Sequence, residues 1–343
     1  MRRKIALATA VAIAGLPLMG LAHAETWRFA LEEADGGVQD AYAEAFKERI
    51  EEQSNGDITV EIYPYGSLGT SSQLTELVQQ DAVQLAFASP GHLASVIPET
   101  GVFTLHFLFS DDNAINEEVL SGSEAVGMLE EAYNEQNLEL LGVIPEGWMA
   151  WTADRPIRMP VDMQGFRIRT MTSPILVESY RAYGANPVPM PYSEVYSGLQ
   201  LDRIDGQANP LFAIAEMGFH EVQDYLIQAK PAQFMTTLVV ANDFYEGLPD
   251  ARRRMIDEVT GDLRRYIFAT QAQFNDARLE AIEESSDIQV STLDEEQRAA
   301  FRELSMPVRD TYVERAGERG KRILETLERD IAAAEQEGGR GGN

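Results

Sequence analysis

Two arginines and one asparagine are the residues of this sequence best suited to hold a small acid. Arg167 and Arg169 alternate with apolar residues in 166–170, a pattern typical of a β-strand, so both side chains project from one face. A guanidinium is a planar fork of donors that matches a carboxylate with two parallel hydrogen bonds. Asn209 precedes Pro210, which favours an extended backbone and lets the amide project from its loop. These residues predict a carboxylate-binding cleft, with exposed arginines and a turn-forming asparagine as the alternatives.

Side chains that commonly carry catalysis are sparse. The three histidines after the N-terminal segment, His92, His106 and His220, have separations that match no zinc motif, and we expect structural or surface roles for them. Cysteine is absent, which excludes disulfides, thiolate zinc sites and cysteine nucleophiles. No GxSxG, P-loop or GxGxxG motif follows a predicted strand, and adjacent carboxylates arise by chance among 56 acidic residues. We therefore expect no enzyme, no metal and no cofactor.

The charge of the chain argues against nucleic acid as a partner. Its 343 residues include 28 basic and 56 acidic side chains, a formal net charge of -28. Such a field repels polyanions and anionic membrane surfaces. The composition, 44% hydrophobic and 24% charged, is that of a globular protein long enough for one large domain or two lobes.

The N-terminus has the pattern of a secretory signal. Basic residues at 2–4 precede an apolar run at 5–21 and the small-residue site Ala22-His23-Ala24. We predict a signal peptide over residues 1–24, cleaved before Glu25, and a periplasmic location. A membrane anchor is the alternative, but the apolar run is short and is interrupted by two glycines and a proline.

The first part of the chain alternates predicted strands and helices. Residues 27–31 read as a strand, and apolar residues at helical spacing follow from Val38. A strand at 58–63, a helix at 72–81 and a short apolar strand at 85–88 continue the pattern. Such alternation predicts a parallel or mixed sheet flanked by helices.

The middle of the chain contains the predicted connections between two lobes. Residues 140–144 read as a strand, 145–147 as a turn, and 149–152 as an extended run that makes the first crossing. The β-rich run 234–241 is the predicted crossing back.

Helices dominate the rest of the second half. We predict helices at 174–183 and 192–200, and a long one from Pro249 to about Ser285. At 1.5 Å per residue the long helix would extend roughly 50 Å, more than one lobe needs, so we expect it to lie across both lobes. A final amphipathic helix is predicted at 321–335.

Together these elements predict an α/β, two-lobed fold of the periplasmic-binding-protein type, with the long helix spanning both lobes. We assign 25–147 and 235–274 to lobe I, and 148–234 and 275–337 to lobe II. The glycine-rich end, 338–343, is predicted to be a disordered tail.

The stretch 164–210 carries a family resemblance. It contains RIR, then GANPVPMPYSEVYSGLQ, then DGQANP, in order. The sequence resembles the substrate-binding proteins of tripartite ATP-independent periplasmic (TRAP) transporters, the DctP family. The resemblance implies a monomeric solute receptor that binds a small carboxylate-bearing molecule and delivers it to membrane permease subunits. A receptor for another organic acid, such as a dicarboxylate or keto acid, is one alternative, and a periplasmic hydrolase is an alternative from another class.

Within the family the sequence resembles the ectoine and hydroxyectoine binders. The similar stretches are Trp27 to Glu33, Gly36 to Asp40, Pro145 to Asp154, Ile168 to Thr172 and Asp205 to Pro210. The resemblance assigns the carboxylate clamp to Arg169 and an amide contact with the ligand carboxylate to Asn209. It also places an acid for the cationic end of the ligand at Glu33 or Glu32; we favour Glu33 and expect the other to be a solvated surface charge.

Aromatic faces attract delocalised cations, at roughly 0.5 to 2 kcal/mol each. The resemblance places such faces at Tyr192 and Phe234, whose alternative role is in the core. Two positions depart from the ectoine-binder pattern: Ala213 replaces an expected tryptophan, and His92 replaces an expected phenylalanine. Trp148, beside the predicted crossing, is expected to refill part of the space left by Ala213.

Overall fold

The structure is a computed structural model that describes residues 24–341, with side chains to residue 337. The predicted signal peptide, apart from its last residue, lies outside the described residues. None of the described helices is long and apolar enough to cross a membrane. The strands are β1 Glu25–Ala30, β2 Ile58–Tyr63, β3 Leu85–Ala88, β4 Leu138–Trp148, β5 Ala150–Ala153, β6 Arg167–Thr170, β7 Asn186–Pro189, β8 Gly206–Asn209, β9 Tyr225–Gln228, β10 Gln233–Ala241 and β11 Gln289–Thr292.

The helices are α1 Val38–Gln53, α2 Ser71–Gln79, α3 Pro90–Leu93, α4 Asn113–Gly122, α5 Glu124–Asn134, α6 Pro174–Ala182, α7 Val195–Gln200, α8 Leu211–Glu216, α9 Asn242–Gly247, α10 Asp250–Ser285, α11 Glu295–Ser305 and α12 Val308–Gly341. Short 3₁₀ turns lie at Pro98–Thr104, Pro160–Met163, Tyr192–Glu194 and Phe219–Val222. Pro174 and Asp294 illustrate the local signals that determine where helices begin. Proline suits the first turn of α6, and Asp294 with Gln297 forms a capping box at the start of α11.

Two sheets form the centres of two lobes, which confirms the predicted fold class. The first sheet has the strand order β2-β1-β3-β10-β4 and the second has β11-β9-β5-β8-β6-β7. In the first, β1 pairs in parallel with β2 and β3, while β10 is antiparallel to both β3 and β4. Alternation explains the edge strand β2, because Ile58 and Val60 are buried while Thr59 and Glu61 are exposed.

The chain crosses between the sheets where β4 gives way to β5 and where β9 gives way to β10. The two crossings are hydrogen-bonded to each other, from Met149 N to Ala232 O at 2.9 Å and from Lys230 N to Met149 O at 3.1 Å. The predicted turn at 145–147 is wrong, because these residues continue β4. Pairing with β10 holds them extended, and the irregularity appears instead as a register shift and a positive φ of 135° at Gly147.

The long helix α10 spans both lobes, as predicted. Its Ile256, Leu263 and Ile267 pack in the apolar core under the first sheet. Near its C-terminal end Ile282 belongs to a core cluster with Leu226 of β9, in the second lobe. A single rigid element therefore connects the two cores.

The last helix differs from its prediction in length and position. The helix predicted at 321–335 lies inside α12, which contains a non-helical residue, Gly317, and reaches into the predicted disordered tail as far as Gly341. Each residue added to an existing helix gains a hydrogen bond, which accounts for this extension. Tyr312, Ile323 and Leu327 pack with the first core. The predicted lobe boundaries stay a prediction, and these contacts favour moving α12 from lobe II to lobe I.

Candidate functional site

A cavity lies where strand ends of both sheets meet. Residues after β1 and β3 of the first sheet and at the ends of β6 and β8 of the second contribute to it. The carboxyl ends of parallel strands are the usual place for a ligand in such sheets. The lining residues are Glu32, Glu33, Gln39, Ser71, Ser89, His92, Arg169, Met171, Tyr192, Asn209, Pro210, Phe212, Ala213 and Phe234. Seven of the eight residues predicted for the site are thus brought together.

Arg169 presents an unsatisfied cation to this cavity. It lies in β6, between β8 and the edge strand β7 of the second sheet, and only 2% of it is exposed. Its Nε donates to the carbonyl of Met190 at 3.0 Å, while Nη2 is buried without a partner. Burial lowers the pKa of Arg169 to about 10, so the guanidinium keeps its charge at neutral pH. A hydrogen-bond acceptor on a bound molecule would satisfy the unpartnered Nη2 of Arg169.

Arg167, two residues earlier on the same strand, is committed elsewhere. Its Nε donates to Asp205 Oδ1 at 2.9 Å and its Nη1 donates to the carbonyl of Asp202 at 2.8 Å. Its backbone N–H also bonds Asp205 Oδ2 at 2.7 Å. The pKa of Asp205 is held below its usual value by these bonds, against the opposing effect of burial. Of the two candidate arginines, only Arg169 lines the cavity.

Asn209 ends β8, beside β6. Register pairs Arg169 with Gln207, so Asn209 lies one strand across and two residues further along. The residue is buried, and its Nδ2 donates to Gln207 Oε1. An amide nitrogen has two N–H groups, so this bond leaves one for a ligand.

Glu32 and Glu33 both turn into the cavity after β1. Their Oε2 atoms accept backbone N–H groups, from Ser89 at 2.8 Å and from Gln39 at 2.9 Å respectively. Both Oε1 atoms are buried without a partner. Burial raises the pKa of Glu32 to about 7, and it also raises the pKa of Glu33.

The expectation that one of these glutamates is a solvated surface charge is wrong. Glu32 is 7% exposed and Glu33 is 5% exposed. Strand alternation does not separate them, because both lie beyond the end of β1. Gln39 holds both, since its Oε1 accepts the backbone N–H of Glu32 at 2.7 Å while its own backbone N–H bonds Glu33.

Aromatic side chains form part of the wall. Tyr192 and Phe234 are both half-buried and line the cavity. The guanidinium carbon of Arg169 lies 5.8 Å from the centre of the Tyr192 ring, and Tyr65 packs edge-on against the same Tyr192 ring, with 5.5 Å between the ring centres. Tyr192 thereby helps to hold the Arg169 guanidinium in place and also forms part of the wall.

Both substituted positions, His92 and Ala213, line the cavity. Burial together with the nearby Arg169 lowers the pKa of His92 to about 4, so its ring is neutral at pH 7.

Trp148 does not line this cavity, so it does not refill the space beside Ala213. It pairs with Gln233, while the adjacent Phe234 pairs with Gly147 and lines the cavity. Alternation therefore directs Trp148 to the other side, where it borders two separate cavities.

Several lining residues were missed by sequence reasoning, among them Ser71, Ser89, Met171 and Phe212. Gln39 was also missed as a site residue, although it lies in one of the family-like stretches, 36–40. Its side chain looks like any exposed helix glutamine until α1 is placed against the strand ends. His106 and His220 lie outside the cavity, and His106 bonds the hydroxyl of Tyr183 at 2.7 Å as a buried structural residue.

Contacts across the cleft show that the lobes meet around the cavity. The backbone N–H of Ser173 donates to the carbonyl of Gly91 at 2.8 Å, and that of Ser193 donates to the hydroxyl of Tyr65 at 3.2 Å. Each contact joins residues of one lobe to residues of the other. The described structure is therefore a closed form.

The charges of the cavity are not paired with each other. Among the ion pairs of residues 24–337, none joins Arg169 to Glu32 or Glu33. The same part of the chain contains no cluster of three or more histidines and acids that could hold a metal ion. The site thus offers one cation and two acids to the same small space.

Comparison with known proteins places the chain in a family. Residues 29–316 match the family described as bacterial extracellular solute-binding protein, family 7 (DctP). The ectoine-binding periplasmic protein TeaA of Halomonas elongata is 37% identical over 318 residues, 92% of this chain and 93% of the relative. The ectoine/5-hydroxyectoine-binding periplasmic protein UehA of Ruegeria pomeroyi is 38% identical, covering 94% of this chain and 96% of the relative.

The solved structures agree. The TeaA structure covers 90% of this chain and 100% of its own, with a TM-score of 0.87 and 37% identity. A TRAP periplasmic solute-binding protein from Marinobacter aquaeolei, in an apo open structure, is 47% identical with a TM-score of 0.84, covering 88% of this chain and 99% of its own. The predicted family is confirmed: the chain belongs to family 7 of the bacterial extracellular solute-binding proteins, the DctP proteins.

Proposed function

We propose that this protein is the extracytoplasmic receptor of a TRAP transporter and that its ligand is a small zwitterion of the ectoine class. One observation carries the proposal. A single cavity contains an unpartnered guanidinium nitrogen of Arg169 and unpartnered carboxylate oxygens of Glu32 and Glu33. A molecule with a carboxylate at one end and a delocalised cation at the other satisfies all three.

The basic end of the cavity, formed by Arg169 and Asn209, suits a carboxylate. The guanidinium of Arg169 is fixed by Met190 and Tyr192, so little conformational freedom is lost when a ligand binds it. A free amide N–H of Asn209 supplies a second donor nearby. Charge-assisted hydrogen bonds of this kind are about twice as strong as neutral ones.

The acidic end of the cavity, formed by Glu32 and Glu33, suits an amidinium. Each unpartnered Oε1 accepts an N–H, and the ring of ectoine carries such groups on a delocalised cation. Phe234 and Tyr192 provide aromatic faces for that ring, a contact that favours delocalised cations. A buried carboxylate is stabilised when a cation neutralises it.

A dicarboxylate fits this cavity less well. Arg169 is the one arginine or lysine among the lining residues, so a second ligand carboxylate would face Glu32 and Glu33 without a cation of its own. Relatives that bind organic acids exist, such as the TRAP protein of Shewanella oneidensis with bound succinate, at 25% identity. The two ectoine-binding relatives are more similar to this chain.

Binding between the lobes provides the mechanism of transport. Ligand contacts with Glu32 and Glu33 on one side and Arg169 and Asn209 on the other exist together only in the closed form. The ligand therefore shifts the population toward closure without any catalytic step. We propose that the signal peptide directs export of the receptor to the periplasm, where it works as a monomer. Once closed around its ligand, the receptor presents the ligand to permease subunits.

A thermal-shift screen tests the ligand class. Mature protein is heated with ectoine, hydroxyectoine, succinate or pyruvate at equal concentrations. A ligand at 100 times its dissociation constant stabilises the protein by about 2.7 kcal/mol, so binders are easily ranked. We expect the two ectoines to raise the melting temperature most. A larger shift with succinate would contradict the ligand class and leave the receptor class intact, while turnover of any of them would favour the hydrolase.

A further inference from the structure

A third carboxyl group, Glu146 of β4, lies behind the acidic end of the cavity. It is fully buried and does not line the cavity. The Nε2 of Gln39 donates to Glu146 Oε1 at 3.0 Å. The backbone carbonyl of Glu146 accepts Nδ2 of Asn275 at 2.8 Å, which ties β4 to α10. Glu146 is therefore held firmly in place by neutral partners.

Glu146 Oε2 and Glu33 Oε1 are both buried and receive no N–H or O–H donor, and the two carboxyl groups are close enough to shift each other's pKa. Two carboxyl oxygens approach to hydrogen-bond distance only when one of them carries a proton. Within residues 24–337 no lysine, arginine or histidine forms an ion pair with either group. Burial and the adjacent Glu33 both raise the pKa of Glu146 well above its usual value, so the proton resides on Glu146.

The charged groups around this pair come from several elements that pack against it. Beyond Glu33 and Glu32 they comprise Asp40 of α1, Glu216 of α8, and Arg278 of α10, which lies 3.6 Å from Glu216. Acids outnumber the single cation, and the cation is paired with Glu216. The surroundings therefore favour retention of a proton by the pair.

We propose that Glu146 is a positioning residue for specificity: it stays protonated, donates to Glu33 and, through Gln39, holds in place the segment that carries both cavity glutamates. Gln39 bonds the backbone N–H of Glu32, the carboxylate of Glu33 and the carboxyl group of Glu146, so it couples the positions of the three residues. With the shared proton on Glu146, Glu33 is held ionised for the ligand's cation. The effect of Glu146 on ligand binding rests on the proposed function, whereas the protonation of Glu146 does not.

Two substitutions separate positioning from packing. In Glu146→Leu the donor to Glu33 and the acceptor for Gln39 are both lost, and we expect the dissociation constant for ectoine to rise at least about tenfold. Glu146→Gln keeps a donor and an acceptor without a titrating group, and we expect it to recover most of that loss. Glu139→Gln, on the same strand and remote from the cavity, is the matched control and should bind as the native protein does.

Infrared spectroscopy of the unliganded protein tests the proton itself. At pH 9 Glu32 and Glu216, with pKa values of about 7 and about 8, are mostly ionised, so a remaining band of a protonated carboxylic acid belongs to the shared pair. We expect the native protein and Glu139→Gln to show this band and Glu146→Gln to lack it. A band that survives in Glu146→Gln, or none in the native protein, would overturn the inference.

The two proposals fail in different ways. If the native protein does not bind ectoine, the ligand assignment fails, and the infrared result alone then decides whether Glu146 holds the proton. If ectoine binds the native protein and Glu146→Leu equally well, the positioning role fails while the ligand assignment stands. Circular dichroism of each variant verifies that it is folded before either result is used.

Discussion

The two ends of the cavity achieve opposite charges by different means. The basic end depends on one guanidinium, Arg169, which is ionised throughout the physiological range and is held by a single carbonyl and an aromatic ring. The acidic end depends on a network in which Gln39 connects Glu32, Glu33 and Glu146. Burial raises the pKa of each of these acids. We infer that the basic end sets affinity and the acidic end makes it depend on pH.

The largest expected effect comes from removing the guanidinium. In Arg169→Ala the ligand carboxylate loses its partner in a buried site, which costs about 2 to 5 kcal/mol, or roughly 30-fold to several thousand-fold in the dissociation constant. Arg169→Lys keeps the charge but loses the fork, and at least about a tenfold loss is expected. Titration calorimetry with ectoine measures both.

Arg167→Ala is the control on the same strand face. Its guanidinium bonds Asp205 and does not line the cavity, so affinity should change little even if the melting temperature falls. Equal losses in Arg167→Ala and Arg169→Ala, or near-normal binding by Arg169→Ala, would show that the basic end is misplaced.

Neutralising the acidic end should have the next largest effect. Glu33→Gln removes a charged acceptor for the ligand's cation, a loss of about 1.5 to 3 kcal/mol and thus roughly 10- to 150-fold in affinity. Glu44→Gln, exposed on α1, provides the same substitution away from the cavity. If the two variants bind ectoine alike, Glu33 does not contact the cation.

The acidic end should also release protons on binding. In the unliganded protein the pKa of Glu32 is about 7, so part of its population is protonated near neutral pH. A bound cation favours the ionised form, so binding expels a proton and affinity rises between pH 5 and 8, by about tenfold for each unit by which the cation lowers this pKa. Calorimetry in two buffers of different ionisation enthalpy counts the protons. Proton uptake, or none, would contradict this role for Glu32.

The smallest expected effect concerns stability without ligand. Glu216 faces Glu33 across the cleft, and burial followed by that charge raises its pKa to about 8. A carboxyl whose pKa is higher in the folded than in the unfolded protein stabilises the fold less as pH rises from about 4.5 to 8. Glu216→Gln should therefore match the native melting temperature at pH 5 and exceed it by about 1 to 2 °C at pH 9. A difference that is the same at both values would exclude titration of Glu216 as the cause.

Elements with a clear local pattern were predictable from sequence. The strands β2 and β3 have their predicted bounds, because alternation in one and a fully buried run in the other are strong signals. The strand β7, Asn186–Pro189, was not predicted, because two prolines in four residues argue against a strand. It is tolerated at the edge of the sheet, where β6 is its neighbour. The helices α4 and α5 were also missed.

Residue chemistry alone was sufficient to single out Arg167, Arg169 and Asn209 as candidates for the site. The choice between Arg167 and Arg169 had needed the family resemblance, and the structure gives the physical reason in Asp205, which engages only Arg167. The role of Gln39 and Glu146 depends on three separate elements meeting at one point, which no local pattern encodes. For Trp148 the error came from a strand that continues where a turn was expected.

The orientation of a bound ligand tests the central claim most directly, and a crystal structure of the mature protein with ectoine would show it. We predict the ligand carboxylate within hydrogen-bond distance of Arg169 Nη2 and the Asn209 amide, with the ring nitrogens against Oε1 of Glu32 or Glu33. A ligand bound in the reverse orientation, or outside this cavity, would contradict the assignment of the two ends.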